Sequence, residues 1–318
     1  MGAEPFSKFM QRALYDPQHG YYTARIRTVG ARGDFSTTAT LSAQLGSAIA
    51  AWLLAEAKAT DVTTIIEVGG GDGPLMKSVL SALGWWQRRR FRVLMVEASP
   101  VLMKQQQDKL KGRVQAWFGT LPEALQACEG EALIFSNELL DAFPVDLVHW
   151  DGDAWQEVWI DGGREVLVPL TILRNPFSAL RSTPAKPQRY ELATALHSWL
   201  HGWLPHWQRG SMLTIDYGDE FPAVYHRRPR GTLRAYLFQQ RLEGADVCAN
   251  PGRQDITCDV NFTDWRAWLA DAGLSEVLYE TQAAFLQRGG QVKSQADHFV
   301  QEVGGAGTAF QCHAVRRV

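Results

Sequence analysis

Four acids and a run of glycines are where this sequence offers chemistry. Glu67-Val68-Gly69-Gly70-Gly71-Asp72-Gly73 ends a β-branched run that starts at Thr63, and Pro74 follows as the first residue of a helical stretch. A glycine-rich turn between strand and helix lets the backbone approach a ligand closely, and the helix end offers N–H groups that lack intrahelical partners. Such turns serve nucleoside cofactors of two kinds, and spacing separates them. A dinucleotide fingerprint needs G-x-G-x-x-G/A. Counting from Gly69 puts Pro74 at the last position, and counting from Gly71 puts Met76 there; counting from Gly70 meets Asp72 where the second glycine belongs. The dinucleotide reading fails in every register. Glu97, 24 residues beyond Gly73 at the end of a second apolar run, is placed to accept both hydroxyls of a ribose. It argues for a nucleoside without choosing which.

What remains is an acid two residues ahead of three alternating glycines, Glu67-x-Gly69-x-Gly71-x-Gly73. This pattern resembles the first motif of the S-adenosyl-L-methionine-dependent methyltransferase superfamily. The resemblance implies that the loop packs on the methionine part of the cofactor and that Glu67 helps hold its amino group. Asn137-Glu138-Leu139-Leu140-Asp141-Ala142-Phe143-Pro144 follows the fourth apolar run, and open parallel sheets bind ligands beyond the carboxyl ends of their strands. Methyl transfer is an in-line displacement, so the protein's task is to align the nucleophile and manage its proton. A guanidinium, with a pKa above about 12, needs carboxylates that pair with its cation. Glu138 and Asp141 share a face if their segment is helical; alternatively Asp141 tethers the loop and Glu138 alone meets the ligand. Asn137, Glu138 and Asp141 are the candidate catalytic residues.

The elements that must position these residues alternate. Residues 1–15 read as a short helix, Tyr15 to Ser36 as a Gly- and Arg-bearing loop, and Thr40 to Ala59 as a helix. Strands follow at Thr63–Val68, Phe91–Val96, Arg113–Phe118 and Ala132–Ser136, with helical stretches between them, which implies βαβ units and a parallel sheet. Leu147–Trp150 and Trp155–Ile160 flank a turn and predict a hairpin; residues 161–190 read as partly irregular. Glu191–Trp207 reads as a helix whose Trp199, Trp203 and Trp207 form a buried face. His197, His201 and His206 on the same stretch lack an acid in metal-ligand pattern and read as solvated. Ser211–Asp216 is a fifth core strand, Thr263 caps a helix to Ala272, and residues 274–280 and 309–316 make a final strand pair.

With 46% hydrophobic and 21% charged residues in 318, the chain has the composition of a globular enzyme. A net charge of −2 leaves no basic field for holding nucleic acid regardless of sequence, so a nucleic-acid partner is disfavoured. Cys128, Cys248, Cys258 and Cys312 show neither CxxC pairing nor metal-ligand spacing, and neither a metal nor a disulfide framework is expected. There is no apolar run of bilayer-spanning length and no signal-like N-terminus, so the expectation is a cytoplasmic protein with no membrane partner.

In order along the chain, Phe9-Met10, Gly20-Tyr21-Tyr22, Gly33-Asp34-Phe35 with Thr37, and Glu67 to Gly73 with Leu75-Met76 resemble the MidA-like methyltransferases. The likeness continues through Val96 to Ser99, Asn137-Glu138, Asp141 to Pro144, Ile215 to Gly218, Gly231-Thr232-Leu233, Pro251-Gly252, Gln254 to Thr257, and Thr281-Gln282 before Phe285-Leu286. That family includes the arginine methyltransferase of mitochondrial complex I assembly. The resemblance implies a doubly wound, mostly parallel, seven-stranded class I methyltransferase (Rossmann-like) core with inserted α/β elements. An N-terminal segment over residues 1–60 would cover the site, and a core over 61–318 would carry insertions at about 145–190 and 219–260. It implies S-adenosyl-L-methionine as cofactor, a protein substrate with arginine as one acceptor, and is compatible with a homodimer. Carried over by position, Glu67, Gly69, Gly71, Gly73 and Glu97 would bind cofactor, and Asp34, Asp216 and Tyr217 would line the substrate side with Asn137, Glu138 and Asp141. Arg234 and Asp255 are further contact candidates. Ala39-Thr40 stands where the family has Pro-Glu, Gln239 and Asp259 stand where it has His, and Gly70 and Asp72 replace Pro and Arg. These departures touch the substrate side more than the cofactor chemistry. Two other readings stay open: a non-catalytic cofactor-binding assembly scaffold, and a small-molecule methyltransferase.

Overall fold

The computed structural model describes residues 2–26, 43–171, 175–238, 240–289 and 306–318. Asp34, Ala39, Thr40 and Gln239 therefore lie outside the described residues. The chain forms two compact units. The larger comprises Ile26–Leu139, His201–Tyr217 and Leu269–Val318, and the smaller Met1–Arg25, Leu140–Leu200 and Gly218–Trp268.

The larger unit is built on strands β1 (Thr64–Val68), β2 (Arg92–Val96), β3 (Ala116–Phe118), β4 (Glu131–Asn137), β5 (Arg209–Asp219), β6 (Ser275–Thr281) and β7 (Phe310–Arg317). Across the sheet they run β3-β2-β1-β4-β5-β7-β6. Neighbours from β3 to β5 are parallel, whereas β7 is antiparallel to both β5 and β6. From β1 the chain moves outward to β2 and β3 and then returns to place β4 on the other side of β1. The strand order thus reverses between β1 and β4, and in open α/β sheets the crevice at such a reversal, outside the carboxyl ends of the strands, receives ligands.

Helices α1 (Ala43–Thr60), α2 (Pro74–Ala82), α3 (Gly84–Arg88), α4 (Pro100–Lys109) and α5 (Leu121–Gln126) accompany these strands. Pro74 suits the first position of α2 because its missing N–H would have had no intrahelical partner. Ile49, Trp52 and Leu53 of α1 and Met76, Val79 and Leu80 of α2 pack with Ile65, Val93, Met95, Leu133, Phe135 and Ile215 into one core. Each fully buried aliphatic side chain of this kind contributes about 1.5–3 kcal/mol. The two helices approach closely because residue 46 is glycine: a Cβ there would lie 2.2 Å from the Ser78 hydroxyl. Glu56 of α1, itself buried, takes two 3.0 Å hydrogen bonds from Arg316 of β7 and one of 2.5 Å from Ser211 of β5. Among the described residues no helix is long and apolar enough to cross a membrane.

In the smaller unit, Asp146–Trp150 and Trp155–Asp161 form the expected antiparallel hairpin, flanked by Gln188–Leu192 and by Glu4–Pro5 with Arg164–Pro169. One expectation is corrected here. The stretch 161–190 is partly irregular as expected, with the strand Arg164–Pro169 and most of Gln188–Leu192 within it; the expected helix over Glu191–Trp207 is corrected, since Glu191 is strand and the helix begins at Thr194 and ends at Trp203. Antiparallel pairing with Asp146–Trp150, in register Leu147↔Glu191, holds that segment extended, and the buried Glu191 carboxylate accepts the N–H groups of Thr232 (2.8 Å) and Leu233 (3.1 Å). Trp203 and Trp207 are buried as expected, but Trp207 lies beyond the helix and Trp199 is half-buried. A second small sheet pairs Arg234–Leu237 with Gln240–Leu242 and Asp255–Thr257.

Candidate active site

The chain leaves β1 through the glycine loop. Gly69 (φ 69°), Gly71 (φ 56°) and Gly73 (φ 89°) all take the left-handed conformation, while the intervening residues do not. Alternation of glycine with other residues is therefore a backbone requirement at this turn. Gly70 is also crowded: a Cβ there would lie 2.8 Å from the Glu67 carboxyl group and 2.9 Å from Met95 Cε. The loop is pinned to β2 by Gly69 N–H donating to the Val96 carbonyl at 2.9 Å.

Glu67 points from β1 into the interior and is 1% exposed, with its Oε2 atom buried and without a partner among the described residues. Burial, and then the nearby Glu97 carboxylate, push its pKa up to about 8. Glu97 ends β2 and is also buried; burial raises its pKa to about 7 against hydrogen bonds that pull it down. Those bonds come from the Ser99 N–H (2.9 Å, to Oε1) and from Gln106 Nε2 (3.2 Å, to Oε2). A carboxylate accepts about four hydrogen bonds in all, so Glu97 keeps capacity for two donors such as vicinal hydroxyls.

Gln106 was not singled out by the sequence. It is fully buried on α4, and its amide also donates to the Gly71 carbonyl at 2.7 Å. One side chain thereby joins the glycine loop to the acid at the end of β2. Lys109, one turn further, ion-pairs with Asp72 of the loop.

Beside the glycine loop lies the turn after β4, and a Cβ on Gly69 would come within 2.7 Å of Leu139 Cδ1. Glu138 has φ 52°, a left-handed conformation that costs a non-glycine residue energy and often marks functional sites. Its N–H donates to the Ile215 carbonyl at 2.9 Å, and its Oε1 accepts from Asn137 Nδ2 at 3.0 Å. Asn137 Oδ1 is buried without a partner among the described residues. Asp216, fully buried, accepts the N–H of Leu139 (3.1 Å) and of Tyr217 (2.9 Å), and so holds this turn in place. The Tyr217 ring stacks on Phe310 with centroids 3.8 Å apart.

Asp141 belongs to the smaller unit. It lies in a helical turn, Leu140–Ala142, that begins only after Glu138, so the two acids do not share a helix face. The Asp141 backbone carbonyl accepts the Cys258 N–H at 3.1 Å, which ties it to the segment following Asp255–Thr257. The same unit brings several motif residues together. The Tyr22 hydroxyl donates to Asp255 at 2.6 Å, and burial and that carboxylate raise the Tyr22 pKa well above the phenol range. Arg234 is buried and ion-pairs with Asp259, which also binds Arg228. The acid at 259 thus serves as the anionic partner of two arginines. Gly231 and Gly252 are required by packing, since Cβ atoms there would meet Glu191 Oε1 at 2.1 Å and the His19 carbonyl at 2.2 Å. Among the described residues no cluster of three metal-ligating side chains is present.

Residues 48–279 match the family model described as "Putative S-adenosyl-L-methionine-dependent methyltransferase". The chain is 29% identical over 299 residues to the Drosophila melanogaster protein arginine methyltransferase NDUFAF7 homolog, covering 82% of this chain and 65% of that protein. It is 25% identical over 303 residues to human NDUFAF7, covering 81% of this chain and 63% of that protein. The chain thus spans just under two thirds of the length of these curated relatives. Among solved structures it is similar to a Burkholderia thailandensis methyl transferase crystallised with S-adenosyl-homocysteine. That protein is described as a "likely methyl transferase", and the likeness has a TM-score of 0.86 at 26% identity, covering 99% of this chain and 88% of the other. The expectation of a cytoplasmic location is corrected by the same findings, because the fly, worm and human relatives are named mitochondrial.

Proposed function

This chain belongs to the S-adenosyl-L-methionine-dependent methyltransferase family that residues 48–279 match, and on that premise we propose that it transfers a methyl group to a protein nitrogen, with arginine as the acceptor. The observation that carries the reading is the pairing of three left-handed glycines with two buried carboxylates at the strand-order reversal. Glu67 Oε2 is a buried acceptor with no hydrogen-bond partner among the described residues. An ammonium group is the partner its chemistry calls for, and vicinal ribose hydroxyls suit the spare capacity of Glu97. The residues present therefore fit S-adenosyl-L-methionine, which when bound supplies an electrophilic methyl group.

The protein's own part is positioning and charge. Gly69, Gly71 and Gly73 let the backbone fold around the methionine moiety, and Glu67 and Glu97 fix its two ends. Glu138, oriented by Asn137, is the carboxylate that pairs with a guanidinium and draws its positive charge away from the attacking nitrogen. Asp216 acts through the turn it holds. Asp141 is the second acidic candidate, tested by the same assay on Asp141→Asn. The path β3-β2-β1-β4-β5-β7-β6, to which the two-residue strand Val260–Asn261 adds beside the end of β5, supports a seven-stranded, doubly wound class I core, with 145–190 and 219–260 as insertions. The curated relatives named protein arginine methyltransferases support a protein acceptor.

Incubation with radiolabelled cofactor and a protein extract tests this. Label should enter protein, be released on hydrolysis as methylarginine, and disappear with Gly71→Val. Tight binding of S-adenosyl-homocysteine with no label in protein would overturn the acceptor assignment and favour the cofactor-binding scaffold, and absence of any binding would overturn the cofactor assignment.

A further inference from the structure

We propose that the tip formed by α3 and the three arginines after it is a docking surface for an anionic lipid bilayer. The segment is Gly84-Trp85-Trp86-Gln87-Arg88-Arg89-Arg90. None of the five residues of α3 is buried, and Trp85 and Trp86 are 49% and 76% exposed. Large apolar rings exposed side by side are the informative exception on a soluble surface, where single exposed apolar residues are ordinary. The two indoles meet edge to face at 4.4 Å, and the Arg89 guanidinium lies 3.9 Å from the Trp85 ring centroid.

Charge identifies the occupant. From Gly73 to Val96 the chain has no Asp or Glu, yet carries Lys77, Arg88, Arg89, Arg90 and Arg92, in a protein of net charge −2. None of Arg88, Arg89 and Arg90 has an acidic partner among the described residues. Exposed indoles beside guanidinium groups that have no acidic partner among the described residues match the boundary of an anionic membrane. Tryptophan settles at headgroup level there, and each basic residue near the surface adds electrostatic attraction. Base stacking fits less well, because one face of Trp85 is already taken by Arg89 and the rings cross at 80°. The expectation of no membrane partner rested on the lack of a spanning segment, which surface attachment does not need.

The tip lies between α2 and β2, at the end of the sheet where β2 begins, whereas the glycine loop and Glu97 lie where β1 and β2 end. Five residues of β2 separate the two by roughly 16 Å. Bilayer contact therefore leaves the cofactor crevice free, and the inference stands independently of the methyltransferase reading.

Sedimentation with phosphatidylcholine vesicles, with and without phosphatidylserine, tests it on the full chain. Binding should require phosphatidylserine and weaken with salt. Brominated lipid should quench a fraction of the tryptophan emission, and that fraction should vanish in Trp85→Ser/Trp86→Ser. Arg88→Gln/Arg89→Gln/Arg90→Gln should bind roughly 100-fold more weakly. Circular dichroism and thermal unfolding unchanged from wild type establish that both variants fold. No binding to anionic vesicles at low salt, or equal binding by the variants, would overturn the proposal. So would binding to poly-glutamate without binding to vesicles, which would indicate an acidic protein partner.

Discussion

Replacing Glu67 by Gln should weaken ligand binding and strengthen the empty fold, and both effects should grow with pH. Glu67 titrates near 8 and Glu97 near 7, each raised from an ordinary 4.5 by burial. In the unliganded protein both acids hold protons more tightly folded than unfolded. Their contribution to stability is therefore complete below about pH 4.5 and is lost progressively as pH rises to about 8. A shift of 4.5 to about 8 corresponds to roughly 5 kcal/mol for Glu67, as an upper bound. Glu67→Gln removes that charge without changing shape, so at about pH 8 the unliganded variant should unfold at a higher temperature than wild type. Ligand affinity moves the other way. An ammonium needs the ionised carboxylate, whose population rises from about 1% at pH 6 to about 50% at pH 8 for a group titrating at 8. Calorimetry with S-adenosyl-homocysteine should then show affinity rising roughly 500-fold across that interval in wild type, roughly 50-fold of it from Glu67 and roughly 10-fold from Glu97. Glu67→Gln should keep only the part due to Glu97, roughly 10-fold. The variant and wild type should converge at about pH 6, where Glu67 is already neutral. A pH-independent affinity in wild type, or a variant equally impaired at both pH values, would refute the reasoning.

Gln106→Leu should lower S-adenosyl-homocysteine affinity by roughly 10-fold, as expected for losing a hydrogen bond to a charged group. It should also move the Glu97 inflection to higher pH, because Gln106 lowers that pKa, and calorimetry across pH reads both effects. Glu138→Gln should leave S-adenosyl-homocysteine binding intact and cut single-turnover methyl transfer by at least roughly 100-fold; a proportional loss of binding would place Glu138 on the cofactor instead. Gly210→Ala should destabilise the larger unit by at least about 2 kcal/mol in urea unfolding, since a Cβ there would sit 2.0 Å from the Ala132 carbonyl across β4 and β5.

The cofactor side of this site was open to sequence reading because its signals are local. Left-handed backbone at 69, 71 and 73 demands glycine at those positions, and a strand that ends at Val68 and a helix that starts at Pro74 leave room for nothing else. Gln106 was hidden for the opposite reason. It stands among three consecutive glutamines, and its bond to Gly71 spans 35 residues and depends on how α4 docks. The turn after β4 misled in a subtler way. Glu138 and Asp141 have helical spacing, but Glu138 takes a left-handed conformation and the helical turn starts later. Glu191 was drawn into a helix by the Trp and His periodicity that follows it, while its strand conformation comes from pairing with Leu147, 44 residues away, and its carboxylate is held by N–H groups 41 and 42 residues on. Arg164–Pro169 escaped notice because it is mostly exposed, at the edge of its sheet, and has no buried alternation to betray it.

The most direct measurement is a crystal structure of this chain with S-adenosyl-homocysteine. The account predicts both ribose hydroxyls on the Glu97 carboxylate, the amino group against Glu67, and the turn from Gly69 to Gly73 wrapped on the homocysteine chain. A ligand seated elsewhere, or the space beyond β1 and β2 filled by side chains, would contradict it.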